Sequence, residues 1–432
     1  MKRHNYIIIW LTPLIFFQIY LSIVYLIFVN GPWDWPIDEN NFVYQYLILA
    51  QIAIFFGYIF SFRKLKRTFN NFKSKKINNN NQSLKPFYLS LFISMIMAVP
   101  TCYARTGFLF PFNFENLESL GDLYSYSLSN RSAYLEYLRV VLCLPLFSFI
   151  PLLLLNWNKI SSNYKIISSF VSIFYILIYI NMGVNKGLFD LIIFVPWILY
   201  LNSIKSGNTN FFTIFARNKI YSFLGLLFLL FSFNFFIATQ INREGRVGID
   251  SVMMIDGAPL FAEKNEYFLS KYMSDEVFIG FASISRYLTQ GYYALSFAKK
   301  IDYSPTYGLG NSMFVSQNIF EIFNINYFKT ESFPGKLESK TGWSYYELWH
   351  SLYSWLISDF GLYGTLIIMF ILAYLLSISW IKSIYYQNYI HVIRFSILLI
   401  FFFYIPANNQ VLQAPETFVL FYWIFFFKKI HD

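Results

Sequence analysis

Ile7–Val29 reads IIIWLTPLIFFQIYLSIVYLIFV, a run with no charged side chain. As a helix it rises about 34 Å, enough to cross a hydrocarbon core of about 30 Å. Lys2 and Arg3 precede it, as in a secretory signal. The apolar run is too long for one, and Gly31-Pro32-Trp33 is no small-residue cleavage site. The segment therefore reads as a retained first span.

Nine further apolar stretches follow, each marked off by flanking charge. They run roughly Phe42–Phe62, Phe87–Ala104, Tyr134–Leu155, Ile166–Met182, Leu188–Ile204, Ile220–Thr239, Leu352–Ser377, Val392–Tyr404 and Thr417–Phe427. The last two are short and separated by Pro406 and Pro415, which predicts broken or tilted segments. The expected fold is an all-α integral membrane protein of about ten transmembrane helices. It forms a single polytopic domain over residues 1–432, with a large external loop of short helices, 240–350, before the eighth span.

Composition agrees. Hydrophobic residues make up 56% of the chain and charged residues 13%, about half the usual charged share of a soluble domain. One or two soluble cores could not hide that much apolar surface, so a soluble enzyme is excluded. The two cysteines, Cys102 and Cys143, both sit in apolar runs and imply neither a disulfide framework nor a metal site.

With the N-terminus inside, the inner segments are 1–6, 63–85, 156–165, 205–219, 381–394 and 428–432. Together they carry 19 of the 33 Lys and Arg but only one of the 23 acids, Asp432. The net charge of +10 is thus a positive-inside signature. It also suits anionic lipid headgroups and removes the case for nucleic acid. No inner loop is long enough for a nucleotide-binding domain, and no Gly-rich phosphate cradle is present.

The long outer loop is the place to look for function. Its part from Glu276 to Lys300 is amphipathic at helical spacing, with Phe278, Phe281, Ala282, Ile284 and Leu288 on one face and Arg286 among them. It is expected to lie on the membrane face and roof a cavity. Six of the eleven arginines fall outside or at the outer edge: Arg105, Arg131, Arg139, Arg243, Arg246 and Arg286. Helix-end anchoring is one reading of them; the other is recognition of a phosphorylated substrate through bidentate guanidinium contacts. Binding is favoured for Arg243 and Arg246, in Asn242-Arg243-Glu244-Gly245-Arg246-Val247-Gly248, where a span ends. For Arg105, Arg131 and Arg139 anchoring stands equal, and Arg286 on an apolar face requires a partner. Lys186 and Asp190, four apart, are expected to pair on one helix face. No acid lies at a clear bilayer midpoint, which weakens a proton-coupled transporter.

His350 is the one external histidine, in Tyr345-Tyr346-Glu347-Leu348-Trp349-His350-Ser351. Chemistry alone reads it as an interface residue; the functional alternative is a general base or hydrogen-bond donor near the outer surface. One histidine makes no metal site, and neither metal nor cofactor is expected.

His350-Ser351, nine residues, then Gly361-Leu362-Tyr363-Gly364 matches the loop-closing pattern of the O-antigen ligases (WaaL-type). Asp359-Phe360-Gly361-Leu362-Tyr363-Gly364, Arg286–Leu295 and Tyr307-Gly308-Leu309-Gly310-Asn311-Ser312 resemble segments of the repeat-unit polymerases, and Arg246 and Gly257 fit a further polymerase spacing. The chain resembles the O-antigen polymerases (Wzy-type), with the ligases as relatives. The resemblance covers most of the chain as topology and a few segments as residues.

That resemblance implies a glycosyltransferase of lipopolysaccharide biosynthesis in the bacterial inner membrane, with both termini cytoplasmic and the site periplasmic. Its substrates would be undecaprenyl-pyrophosphate-linked oligosaccharides, with a flippase and a chain-length regulator as partners. His350, Arg246 and Arg243 would be catalytic. Arg286, Arg131, Arg105, Tyr345 and Tyr346 would bind pyrophosphate or glycan. A ligase onto lipid A-core is the alternative, then a flippase or transporter, then a scaffold.

Overall fold

A computed structural model describes residues 3–38, 40–64, 66, 83–111, 132–205, 211, 219–247, 254–255, 258–259, 262–263, 267–385 and 388–427. For 3–5, 205, 220–221, 240–247, 276 and the residues between 254 and 263, it describes the backbone alone.

Each of the ten apolar stretches is helical. The helices are α1 (Arg3–Asn30), α2 (Phe42–Phe60), α3 (Lys85–Thr106), α4 (Ala133–Val141), α5 (Cys143–Asn156), α6 (Ser162–Asn181), α7 (Lys186–Lys205) and α8 (Lys219–Val247). The large loop adds α9 (Asp275–Ser296), α10 (Met313–Phe323) and α11 (Phe333–Thr341). Then come α12 (Leu352–Tyr385), α13 (Tyr389–Phe403) and α14 (Pro415–Tyr422), which runs into a π-helical turn at Trp423–Phe427. The only strands among the described residues are four of two residues each.

Among the described residues seven helices are long and apolar enough to cross a membrane, so the chain is a multi-pass helical membrane protein. The fourth expected span is a bent pair, α4 and α5 meeting at 61°. Counting it as one span makes eight. α13 and the last helix are apolar but shorter than a full crossing. Pro415 at the first turn of α14 sets the start of that last helix.

The helices satisfy their backbone groups internally and present apolar side chains to the outside as well as to the core. Ile8, Ile15, Ile19, Ile23 and Leu26 of α1 are about half exposed, as a lipid-facing stripe should be. Inside, Trp343, Trp355 and Trp380 are fully buried. Where helices touch, polar groups pair across them. The Trp10 indole donates to Ser377 Oγ at 2.7 Å, and the Trp380 indole to the Ile9 carbonyl at 2.9 Å. Pairing of this kind replaces the water that a lipid interior lacks.

The large loop folds onto the bundle. α9 packs against α1, α2, α8 and α12. Its Gly291 is needed by space: a Cβ there would sit 2.5 Å from the Ser351 backbone nitrogen and 2.6 Å from the Pro406 carbonyl oxygen. α9 is thereby pressed against the residue that follows His350. The buried face of α9 is partly polar, with Ser283, Ser285, Thr289 and Gln290 buried beside Ala282. Ser285 and Thr289 satisfy themselves on carbonyls one turn back, Phe281 at 2.7 Å and Ser285 at 2.6 Å.

Candidate functional site

At the bundle end where α3 finishes and α4, α7 and α14 begin, the helix ends line a cavity of about 760 Å³. α3 brings Arg105, α4 brings Glu136 and Arg139, α7 brings Lys186 and Asp190, and α14 brings Glu416. Ile284, Tyr287 and Leu288 of α9 and Trp349 complete the wall, so the amphipathic helix of the large loop lines this chamber. Leu146, Phe147 and Leu420 add apolar surface to the lining.

The charges form a closed set. Glu416 Oε1 accepts from Arg105 Nη2 and from Arg139 Nη2, each at 2.8 Å. Glu136 Oε2 accepts from Arg139 Nη1 at 2.7 Å, and its Oε1 lies 3.4 Å from Arg105 Nε. Arg105 also stacks on the Tyr179 ring at 5.6 Å. Lys186 donates to Asp190 at 2.6 Å, the pairing that their spacing requires. Arg139 is only 8% exposed, which makes its two carboxylate partners a condition of its burial. Even so, its Nε has no partner, and neither has Asn185 Oδ1, although Asn185 Nδ2 donates to Thr239 Oγ1 at 2.8 Å.

Of the sequence candidates, Arg105 lines this chamber. Arg286 is on another face of α9, its guanidinium 5.5 Å above the Trp33 ring, which supplies the partner an arginine there requires. Arg131 and Gly257 lie outside the described residues, as do the side chains of Arg243 and Arg246 at the end of α8.

Tyr345 is buried, its hydroxyl 3.1 Å from Ser316 Oγ, and burial pushes its ionisation well above the ordinary phenol range. Tyr346 is 54% exposed and carries Lys329 over its ring at 4.5 Å.

His350 is fully buried with its ring edge-on to Trp355. Its Nε2 lies 3.2 Å from the Ser344 carbonyl, which can only accept, so Nε2 carries the proton. Nδ1 has no hydrogen-bond partner. Burial disfavours the charged ring and pulls its pKa down to about 4. His350 is not among the chamber's lining residues; its neighbour Trp349 is.

The sign of the His350 shift makes a prediction. Between about pH 6.5 and pH 4 the unfolded histidine binds a proton that the folded one refuses. Stability is full above pH 6.5 and falls as pH drops through that window, by roughly 3 kcal/mol in all. Replacing His350 with Gln should flatten this part of the melting-temperature profile against pH; an unchanged slope would assign it to another group.

Two segments that carry the family resemblance interlock. Asp359, at the first turns of α12, accepts from Thr306 Oγ1 at 2.5 Å, Gly308 N at 2.8 Å, Gly310 N at 3.2 Å and Asn311 Nδ2 at 2.7 Å. The 306–311 turn is thus wound around one carboxylate. Two residues on, Gly361 adopts φ 69° and ψ 174° and kinks α12, a conformation essentially reserved for glycine. A Cβ would meet nothing there, so backbone conformation and not space requires the glycine.

Glu136 and Glu416 were not singled out from sequence. The signal available was local: Glu136 sits three residues before Arg139, and Glu416 is the one acid at the outer edge of the last apolar stretch. Among the described residues no group of three or more His, Cys, Asp or Glu could hold a metal ion. Compared with known proteins, the chain matches no family model, no curated protein and no solved structure.

Proposed function

We propose that this chain is a bacterial inner-membrane glycosyltransferase that polymerises lipid-linked O-antigen repeat units at the periplasmic face. The observation that carries the reading is the chamber itself. It sits at the bundle end assigned to the outside by the charge pattern, and its lining combines paired charges, amides and aromatics with apolar span residues and with residues of α9 from the large loop. A cavity of that size and mixed lining suits an amphiphile, a glycan joined to a lipid.

In the proposed reaction a hydroxyl oxygen of the incoming lipid-linked unit bonds to the anomeric carbon of the growing glycan. The bond from that carbon to the undecaprenyl pyrophosphate oxygen breaks, and the lipid pyrophosphate leaves with the electron pair. Arg243 and Arg246 offset the charge it develops. His350, fully buried and outside the chamber's lining, is assigned to positioning through its neighbour Trp349 in the chamber wall, and the acceptor's proton passes to the departing pyrophosphate. A flippase would supply the lipid-linked units and a regulator would set chain length.

Ligation of finished glycan to lipid A-core is the second reading. It is favoured by the His350-Ser351 to Gly361 spacing, in which Gly361 is the kink residue of α12. Deletion of the gene in its source bacterium, followed by a gel of surface lipopolysaccharide, separates the two. Core carrying a single repeat unit, with the ladder gone, is expected. Bare core with polymer left on the carrier identifies a ligase, and an unchanged ladder rejects both.

A further inference from the structure

We infer that residues 320–327 of the large loop are a membrane anchor whose apolar side chains sit among the acyl chains of the outer leaflet, at their boundary with the headgroups. The inference needs only that the chain crosses a membrane and does not depend on the glycan-transfer reading.

The segment itself is the first observation. All eight residues are exposed, and five of them are Phe320, Ile322, Phe323, Ile325 and Tyr327. Ile322 is 69% exposed and Phe323 64%. Asn324 ends α10 with a left-handed φ of 55°, a conformation that asparagine tolerates, and its N–H bonds back to the Phe320 carbonyl. The apolar side chains are thus carried on a helix end and the turn after it. The one charge, Glu321, accepts from Gln317 Nε2 at 3.0 Å, and the segment holds no Lys or Arg. An apolar patch of this kind marks an interaction surface.

Its position decides what covers it. In α12 the residues 352–358 are all buried. Exposure begins at Phe360 and continues at Tyr363, Ile367 and Ile371, a lipid-facing stripe. From Gly361 to Lys382, in the basic inner segment, a helix rises about 32 Å, one hydrocarbon thickness. Gly361 therefore marks the outer boundary. The 306–311 turn hangs on Asp359, two residues away, and the Tyr327 hydroxyl donates to the Pro305 carbonyl at 3.1 Å, beside that turn. The end of the segment is held at the boundary.

The start of α10 is held there too. Phe314, in its first turn, packs on Phe418 of α14 with ring centroids 5.8 Å apart. Phe418 is three residues past Pro415, where the last apolar helix begins. Asn318 accepts from the Tyr137 hydroxyl of α4 at 2.8 Å. The lipid-facing surface of the bundle thus runs on into 320–327, and the same lipid covers both. Exposed Tyr307 and Tyr363 agree, since a tyrosine suits a level where the ring is in lipid and the hydroxyl in water. With no cation in the segment, the contact is with acyl chains and not with an anionic headgroup.

The test places a nitroxide on Ile322→Cys in the full chain, in phosphatidylcholine nanodiscs. Cys102 and Cys143 are buried, so the label-treated wild-type chain supplies the background. Collisions of the nitroxide with oxygen, which concentrates in the bilayer, are compared with collisions with a water-soluble nickel chelate. Oxygen should dominate at 322. Ser339→Cys, on the exposed side of α11, is the aqueous control, where the chelate should dominate. Adding Phe320→Ser and Phe323→Ser should move the 322 label into water and reverse its order. Dominance of the chelate at 322 in the otherwise unchanged chain places the segment in water, and shielding from both reagents places it against protein. Either result overturns the inference, as does a label that the double serine variant leaves in the bilayer. The measurement reads no turnover, so it and the gene-deletion gel stand or fall separately.

Discussion

Replacing Glu416 with alanine is expected to destabilise the protein by roughly 3–5 kcal/mol, the cost of stripping a partner from a buried ion pair. One oxygen, Oε1, accepts from both Arg105 and Arg139. Without it the two guanidiniums share Glu136 alone, and Arg139, 8% exposed, has no water to turn to. Glu416→Gln keeps an acceptor in place but removes the charge, so its loss should be intermediate. The measurement is thermal unfolding in detergent, followed by tryptophan fluorescence. Removing an arginine together with the acid, as in Arg105→Met with Glu416→Ala, should recover part of the loss, because the uncompensated charge goes too. An unchanged melting temperature for Glu416→Ala would show that the ring of four charges is not what holds α3, α4 and α14 together.

The second large effect is on activity. Arg246→Ala is expected to reduce polymer formation by on the order of 10²–10³, the scale of one lost electrostatic contact to a developing charge. His350→Ala should act in the same direction. In both cases the protein should still reach the membrane, since Arg246 lies at the end of α8, beyond its apolar run, and alanine fits the helix there. Arg246→Lys should not restore full activity, because an ammonium lacks the planar fork that grips two phosphate oxygens. The readout is the lopsided or restored ladder in a deletion strain carrying each variant, scaled to the amount of protein in the membrane. Full ladders from both alanine variants would reject the roles assigned to Arg246 and His350.

Much of the helical frame was legible because its signals are local. A charge-free run such as Ile7–Val29 can only be a span, and α1, at Arg3–Asn30, is where that run places it. The helix within the large loop was legible from its period, Glu276–Lys300 against the observed Asp275–Ser296. The Lys186–Asp190 pair followed from a spacing of four. The 61° bend between α4 and α5 was not legible, since the expected span Tyr134–Leu155 reads as one apolar stretch. That the last two stretches are short was legible from their length and from Pro406 and Pro415 between them, and both helices fall short of a full crossing.

The charged chamber belongs to tertiary structure. Arg105 and Glu416 are 311 residues apart, and nothing in either neighbourhood marks the other as its partner. From sequence, Arg105 was as much an anchor as a ligand for phosphate; the fold commits it to two carboxylates and a tyrosine ring. The same holds for Asp359, which by itself is an acid near a helix end and in the fold is the centre of the 306–311 turn. The sequence by itself determined membrane crossing, the distribution of basic loops and the amphipathic helix, because hydrophobic length, charge bias and helical period are properties of neighbouring residues. Which charges meet and where His350 is buried were decided only by the packing of distant helix ends, because a hydrogen bond depends on a separation of about 3 Å in space and not on separation along the chain.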